Sequence, residues 1–113
     1  MEIGIAKKGD IEVLTVKGKI RLQSWRVLDK HLETLRDNGC RWLVMDMSGV
    51  SLICSTGIGS ILHNAKKFQE NEGGLILLCS TPYLRDLFEM FGFGAFRNDF
   101  FFTDWESLEN RLR

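Results

Sequence analysis

Ser55 and Thr56 stand side by side in Cys54-Ser55-Thr56-Gly57-Ile58-Gly59, between an apolar run and an amphipathic one. Two small hydroxyls where a strand turns into a helix have two uses. One of them can cap the helix, an N-cap serine contributing about 1 kcal/mol. Either can also carry or meet a phosphate, because free backbone N–H groups and the positive end of the helix dipole converge there. A phosphoryl group would add about −1.5 to −2 charge to an uncharged stretch of surface. The two uses are compatible, and some residue must cap.

Other chemistries fail on spacing. Cys54 just before a helix N-terminus has the setting that favours a thiolate. A nucleophile also needs a base, and His63 lies nine positions on, roughly 13 Å along a helix axis at 1.5 Å per residue. His31 belongs to a different predicted helix. A small buried thiol is therefore the reading for Cys54, and no catalytic residue is assigned. Gly57-Ile58-Gly59 follows a strand and opens a helix, but the third glycine of a dinucleotide fingerprint is replaced by Leu62. The acidic residue that should close the next strand is also missing, since Cys79-Ser80 stand there. No lysine follows the glycines to make a P-loop, so these glycines read as close packing of helix on sheet. Asp46, His31 and His63 have no metal-ligand spacing. Asp46 is expected to accept backbone hydrogen bonds in the turn after its strand. No cofactor and no metal are expected.

The composition narrows the partners. Fifteen Lys+Arg balance fifteen Asp+Glu, giving a formal net charge of zero, which argues against a nucleic-acid footprint. The three cysteines, Cys40, Cys54 and Cys79, are odd in number and lack metal spacing, and nothing at the start reads as a signal peptide. Reduced thiols in a cytoplasm are the expectation. Met47 to Ala65 carries no Asp, Glu, Lys or Arg, yet Ser48, Ser51, Ser55, Thr56, Ser60, His63 and Asn64 interrupt it. Membrane insertion is not expected. With 113 residues, the chain reads as a single domain over 1–113 that needs no disulfide or metal staple.

The elements that must hold Ser55 follow from periodicity. Ile3 and Ile5 alternate with smaller or polar residues, Lys8-Gly9-Asp10 turns the chain, and Ile11, Val13, Leu14 and Val16 make a second strand that Gly18 interrupts. This predicts a hairpin. From Ser24, a plausible cap, Trp25, Leu28, Leu32 and Leu35 fall at helical spacing, with Asp29, Lys30, Glu33 and Arg36 on the other face, until Asn38-Gly39. Arg41 to Met47 is a central strand by its apolar run, and a polar turn is expected after it. The helix from Ser55 buries Ile58, Ile61, Leu62, Ala65 and Phe68, and Gly73-Gly74 stops it. Leu75 to Cys79 is another strand. Thr81-Pro82 then opens a helix with Leu84, Leu87, Phe88 and Phe91 inward. Phe91, Phe93, Phe96, Phe100, Phe101 and Phe102 crowd twelve residues, as core with some members at the surface. Thr103-Asp104-Trp105-Glu106 has capping-box spacing before a last helix. The fold class is α/β, a mostly parallel central sheet with an N-terminal hairpin and about four helices.

Asp46-Met47-Ser48-Gly49-Val50-Ser51 followed by Ser55-Thr56-Gly57-Ile58-Gly59 resembles the signature of the STAS domain, the fold of bacterial anti-sigma factor antagonists. Gly18-Lys19-Ile20, Gly73-Gly74 and Leu87-Phe88-Glu89-Met90-Phe91-Gly92-Phe93 extend the resemblance over nearly the whole chain. It implies a non-enzymatic, partner-switching regulator. In that family a serine at the start of this helix is phosphorylated by a cognate kinase, often the anti-sigma factor itself. The unmodified form binds the anti-sigma factor, phosphorylation breaks the contact, and a serine phosphatase restores it. By motif position the serine is Ser55, with Thr56 the second choice. The partner-binding surface carries over to Arg21, Ser24, Cys54, Ser55, Thr56, Gly57 and Ile58, and a homodimer is left open. Two positions depart from the pattern: Cys54 and Arg21 stand where the family commonly has aspartates. The alternative is a constitutive STAS binding subunit of a lipid-transport ATPase or a signalling scaffold.

Overall fold

The computed structural model describes residues 1–9, 11–79, 81–92, 101–102 and 104–112. The chain runs β1 (Glu2–Lys8), β2 (Ile11–Ile20), α1 (Trp25–Asp37), β3 (Trp42–Ile53), α2 (Ser55–Glu70), β4 (Gly74–Leu78), α3 (Pro82–Met90), β5 (Phe101–Phe102) and α4 (Trp105–Leu112). One sheet takes the strands in the order β1-β2-β3-β4-β5. β1 and β2 form the expected antiparallel hairpin, with Glu2 opposite Lys17 and Lys8 opposite Ile11. Each later pair is parallel, because a helix carries the chain back between successive strands. The mixed α/β class with a mostly parallel sheet, a leading hairpin and four helices among the described residues is therefore the observed one.

The sheet is covered on both sides. All five residues of β4 are buried, as its unbroken apolar run requires. On one face Leu14, Met45 and Leu77 meet Leu28 and Leu32 of α1, Ile61 and Phe68 of α2, and Phe88 of α3. On the other, Val13, Val44, Ile76 and Leu78 meet Leu108 of α4. Each such fully buried side chain contributes about 1.5–3 kcal/mol. Among the described residues no helix is long and apolar enough to cross a membrane.

Three expectations change. β3 does not stop at Met47 for a polar turn; it continues to Ile53. It can do so because β2 also runs on, to Ile20, pairing Lys17 with Gly49 and Ile20 with Ile53 across two register shifts. Gly18 does not end β2. Its φ of +95°, a conformation open to glycine at little cost, absorbs the irregularity and lets the strand proceed. At α3, Leu84 and Phe88 are buried and Leu87 is half-buried, but Phe91 is 44% exposed. It occupies the C-cap position, past the last turn that faces the core. The last helix is capped by Asp104, whose Oδ1 accepts the Ser107 N–H at 2.8 Å; Thr103 lies outside the described residues. So do Phe93, Phe96 and Phe100 of the aromatic run, while Phe102 is half-buried.

Candidate functional site

β2 and β3 end together, and their ends place the site. The Cys54 N–H donates to the Ile20 carbonyl at 2.9 Å, so the start of α2 lies beside the loop that opens α1. In that loop the N–H groups of Ser24 and Trp25 both donate to the Arg21 carbonyl, at 3.0 and 2.9 Å. The Arg21 N–H donates to Ser24 Oγ at 3.0 Å. Ser24 does hold the N-cap position of α1, but its hydroxyl makes no cap bond. It serves the loop instead, which corrects the expected capping role.

At α2 the capping residue is neither Ser55 nor Thr56. It is Cys54, with extended φ −77° and ψ 158°, whose Sγ accepts the Gly57 N–H at 3.4 Å. The strand carries the chain extended through Ile53, so Cys54 is the last non-helical residue and Ser55 becomes the first residue of the helix. A thiol is a weak acceptor, and the first turn contains no acidic residue. Gly57 lets the helix settle on the strand ends. A Cβ there would stand 3.1 Å from Ile20 Cγ2 and 3.2 Å from Ile53 Cγ1.

These constraints sort the expected site residues. Arg21, Ser55 and Thr56 are exposed, and Ser24 and Cys54 are half-buried. Gly57 is buried and Ile58 is 1% exposed, so Ile58 belongs to the core and supports the surface from beneath. Ser55 projects from an uncharged helix start, and among the described residues its side chain has no hydrogen-bond partner. The other two thiols are far from thiolate chemistry. Burial, reinforced by Glu12, pushes Cys40 up to about 11. Burial, reinforced by Asp46, pushes Cys79 up to about 12. Asp46 accepts a backbone N–H, that of Ser48 at 3.0 Å, but within β3 and not in the expected turn, and it also accepts the Trp105 indole N–H at 3.2 Å. No group of three or more His, Cys, Asp or Glu able to hold a metal occurs among the described residues.

Residue spacing alone missed the polar contact between α1 and α2. Asp29 Oδ1 accepts the Ser60 hydroxyl at 2.6 Å and the Asn64 amide at 2.9 Å. The same amide donates to the Ser60 carbonyl at 2.8 Å, and Arg36 Nε donates to Asn64 Oδ1 at 3.1 Å. Asn64 is fully buried. Asp29 and Arg36, expected on the water-facing side of α1, instead turn toward α2. They flank the Leu28, Leu32 and Leu35 stripe and lie two turns apart on one side. The available signal was Ser60 and Asn64, four apart among the buried residues of α2. Above this contact lies a cleft of about 410 Å³ lined by Trp25, Asp29, Thr56, Gly59, Ser60 and His63.

Comparison with known proteins agrees with this geometry. A family model described as STAS domain matches residues 2–106. BtrV of Bordetella bronchiseptica, whose name gives anti-sigma factor antagonist as a supposed role, is 27% identical over 93 residues, 82% of this chain and 80% of BtrV. The structure of an anti-sigma factor antagonist from Mycobacterium paratuberculosis matches with a TM-score of 0.85 at 16% identity, over 97% of this chain and 92% of that one. Bacillus SpoIIAA in its phosphorylated form matches with a TM-score of 0.75 at 17% identity, over 99% and 100%. At such identities the two structures establish the fold.

Proposed function

Because the chain belongs to the STAS domain family, we propose that it is an anti-sigma factor antagonist, or a closely related partner-switching regulator, acting by binding and not by catalysis. Its partner is an anti-sigma factor with serine-kinase activity, and a serine phosphatase reverses the modification. The observation that carries this reading is Ser55 itself. It is exposed on the first turn of α2, on a helix start with no acidic residue, and held in place by Gly57 packing on Ile20 and Ile53.

The physical switch is desolvation. An uncharged patch of small residues can be buried against a partner at little cost. A phosphoserine of about −1.5 to −2 charge cannot, unless counter-charges meet it. Arg21 directly follows the residue whose carbonyl accepts the Cys54 N–H, so a cation replaces the usual carboxylate beside this helix start. It favours the modified form electrostatically.

Incubation with the serine kinase encoded beside the gene, with ATP, followed by intact-mass measurement, tests the proposal. One phosphate should be gained, lost in Ser55→Ala, and the phosphorylated protein should no longer co-elute with the kinase. A gain that survives Ser55→Ala and disappears only in the Ser55→Ala/Thr56→Ala double variant would move the site to Thr56. No gain in the unsubstituted protein would leave constitutive binding as the reading.

A further inference from the structure

The cleft between α1 and α2 holds a carboxylate, that of Asp29. Asp29 is half-buried, and among the described residues no lysine, arginine or histidine pairs with it. Both hydrogen bonds it accepts fall on Oδ1, from Ser60 and Asn64, which leaves Oδ2 for an outside donor. These two donors also fix the carboxylate in place, so an incoming group meets a preorganised acceptor.

The walls around Asp29 suit a particular visitor. Trp25 supplies an aromatic face, and Thr56 adds a hydroxyl. Arg26 already rests over the Trp25 ring, 5.0 Å from its centroid. It lines a separate groove on the other side of α1, with Val27 and Ile5, so that His63 is the one basic side chain among the residues lining the cleft, which include no lysine or arginine. Gly59 is exposed, and a Cβ built on it would meet nothing within 4 Å. Its missing side chain is therefore not a packing requirement, unlike that of Gly57; it keeps the mouth of the cleft open.

We propose that this cleft receives an arginine side chain of the protein partner, its guanidinium lying on Trp25 and donating to Asp29 Oδ2 and the Thr56 hydroxyl. A planar, weakly hydrated cation with several N–H donors fits an aromatic wall beside a carboxylate better than a compact ammonium does. The site deepens the binding role proposed above and rests on that reading only for the identity of the arginine's owner.

N-acetylarginine amide, titrated into the protein and followed by backbone and indole N–H chemical shifts, tests the site without the partner. Saturable shifts are expected at the Trp25 indole, Thr56 and Gly59. The uncharged isostere N-acetylcitrulline amide should bind about tenfold or more weakly, and Asp29→Asn should weaken the arginine probe similarly. Asparagine keeps an oxygen for Ser60 and Asn64, so folding is preserved. As a second variant, Gly59→Leu should fill the mouth and abolish the shifts while strengthening the helix. Equal shifts with citrulline, undiminished binding in Asp29→Asn, or no saturable shift at all would overturn the proposal. A protein that takes the probe yet gains no phosphate at Ser55 or Thr56 keeps the arginine site and loses the switch; one that is phosphorylated but ignores the probe does the reverse.

Discussion

On one face of the sheet α1 and α2 meet through a chain of hydrogen bonds, Arg36 to Asn64 to Asp29, with Ser60 joining at Asp29. On the other face α4 lies over Val13, Val44, Ile76 and Leu78 mainly through Leu108, with the Trp105 indole donating to Asp46 and the exposed Lys8–Glu109 pair at the rim. Apolar contact tolerates small slides of one element over another, whereas a satisfied polar chain has few arrangements that satisfy it again. The first face therefore fixes the spacing of its two helices closely, and that spacing shapes the cleft and the surroundings of Ser55. The second face secures the fold with ordinary burial and leaves position less constrained. The proposed switch and the proposed arginine cleft both lie on the face where polar groups have been buried at a cost.

The sharpest way to break that contrast is Asn64→Ala. It removes a fully buried side chain, takes the side-chain acceptor from Arg36 Nε and leaves Asp29 with the Ser60 hydroxyl alone of its two donors. A loss of about 3 kcal/mol is expected, read as a lower denaturant midpoint at unchanged m-value. A loss below about 1 kcal/mol would mean that the chain of hydrogen bonds decorates the contact without defining it.

Cys79 tests the core between the two faces, packed with the first-face cluster and raised to about 12 by burial and Asp46. Below about pH 8 the thiol is protonated in both folded and unfolded chains and contributes no pH dependence. Above its ordinary value of 9.0 the unfolded chain releases the proton first, so stability falls from there up to about 12. The loss at about pH 11 should be about 2–3 kcal/mol, obtained as the difference from Cys79→Ala over the same range. Parallel alkaline profiles for the two proteins would contradict the burial argument.

Trp105→Phe addresses the second face. It keeps an aromatic ring over the sheet and deletes the indole donor to Asp46, so about 1 kcal/mol is expected. The cleft should be untouched, with the N-acetylarginine amide shifts unchanged. A variant that disturbs Trp25 or Thr56 would show that the two faces are coupled through the sheet.

The pattern of apolar residues carried most of the architecture. Of the two helical stripes, Leu28-Leu32-Leu35 and Ile58-Ile61-Ala65-Phe68 are buried as their spacing requires, while Trp25 and Leu62, expected with them, are half-buried at the edges. What the pattern concealed depends on neighbours distant in sequence. Ser48 to Ile53 looks like a turn because it is polar and contains a glycine, but a strand can hold such residues when a parallel partner continues alongside. Ser60 and Asn64 look like interruptions of a helix until Asp29 arrives from 31 and 35 residues away. The capping residue of α2 was missed by one position, because a cysteine is a poor N-cap by propensity and only the strand's extended exit places it there.

That poor cap supports a last and smallest prediction. Cys54 Sγ accepts the Gly57 N–H at 3.4 Å, a long bond to a weak acceptor, and the first turn of α2 has no acid to meet the helix dipole. Cys54→Asp supplies a strong acceptor and a negative charge at the same backbone position, with φ and ψ already suited to an N-cap. It should stabilise the protein by about 0.5–1 kcal/mol, seen as a higher thermal midpoint near neutral pH. The gain should shrink as pH falls through the aspartate's titration, because an N-cap carboxylate has its pKa lowered by the N–H groups it accepts. Cys54→Ala, by contrast, should cost less than a typical cap deletion, since little cap strength is present to lose. If Cys54→Asp destabilises instead, the half-buried thiol is held by packing against Gly57, and the exposed hydroxyls of Ser55 and Thr56 rest on a tighter floor than the hydrogen bond alone indicates.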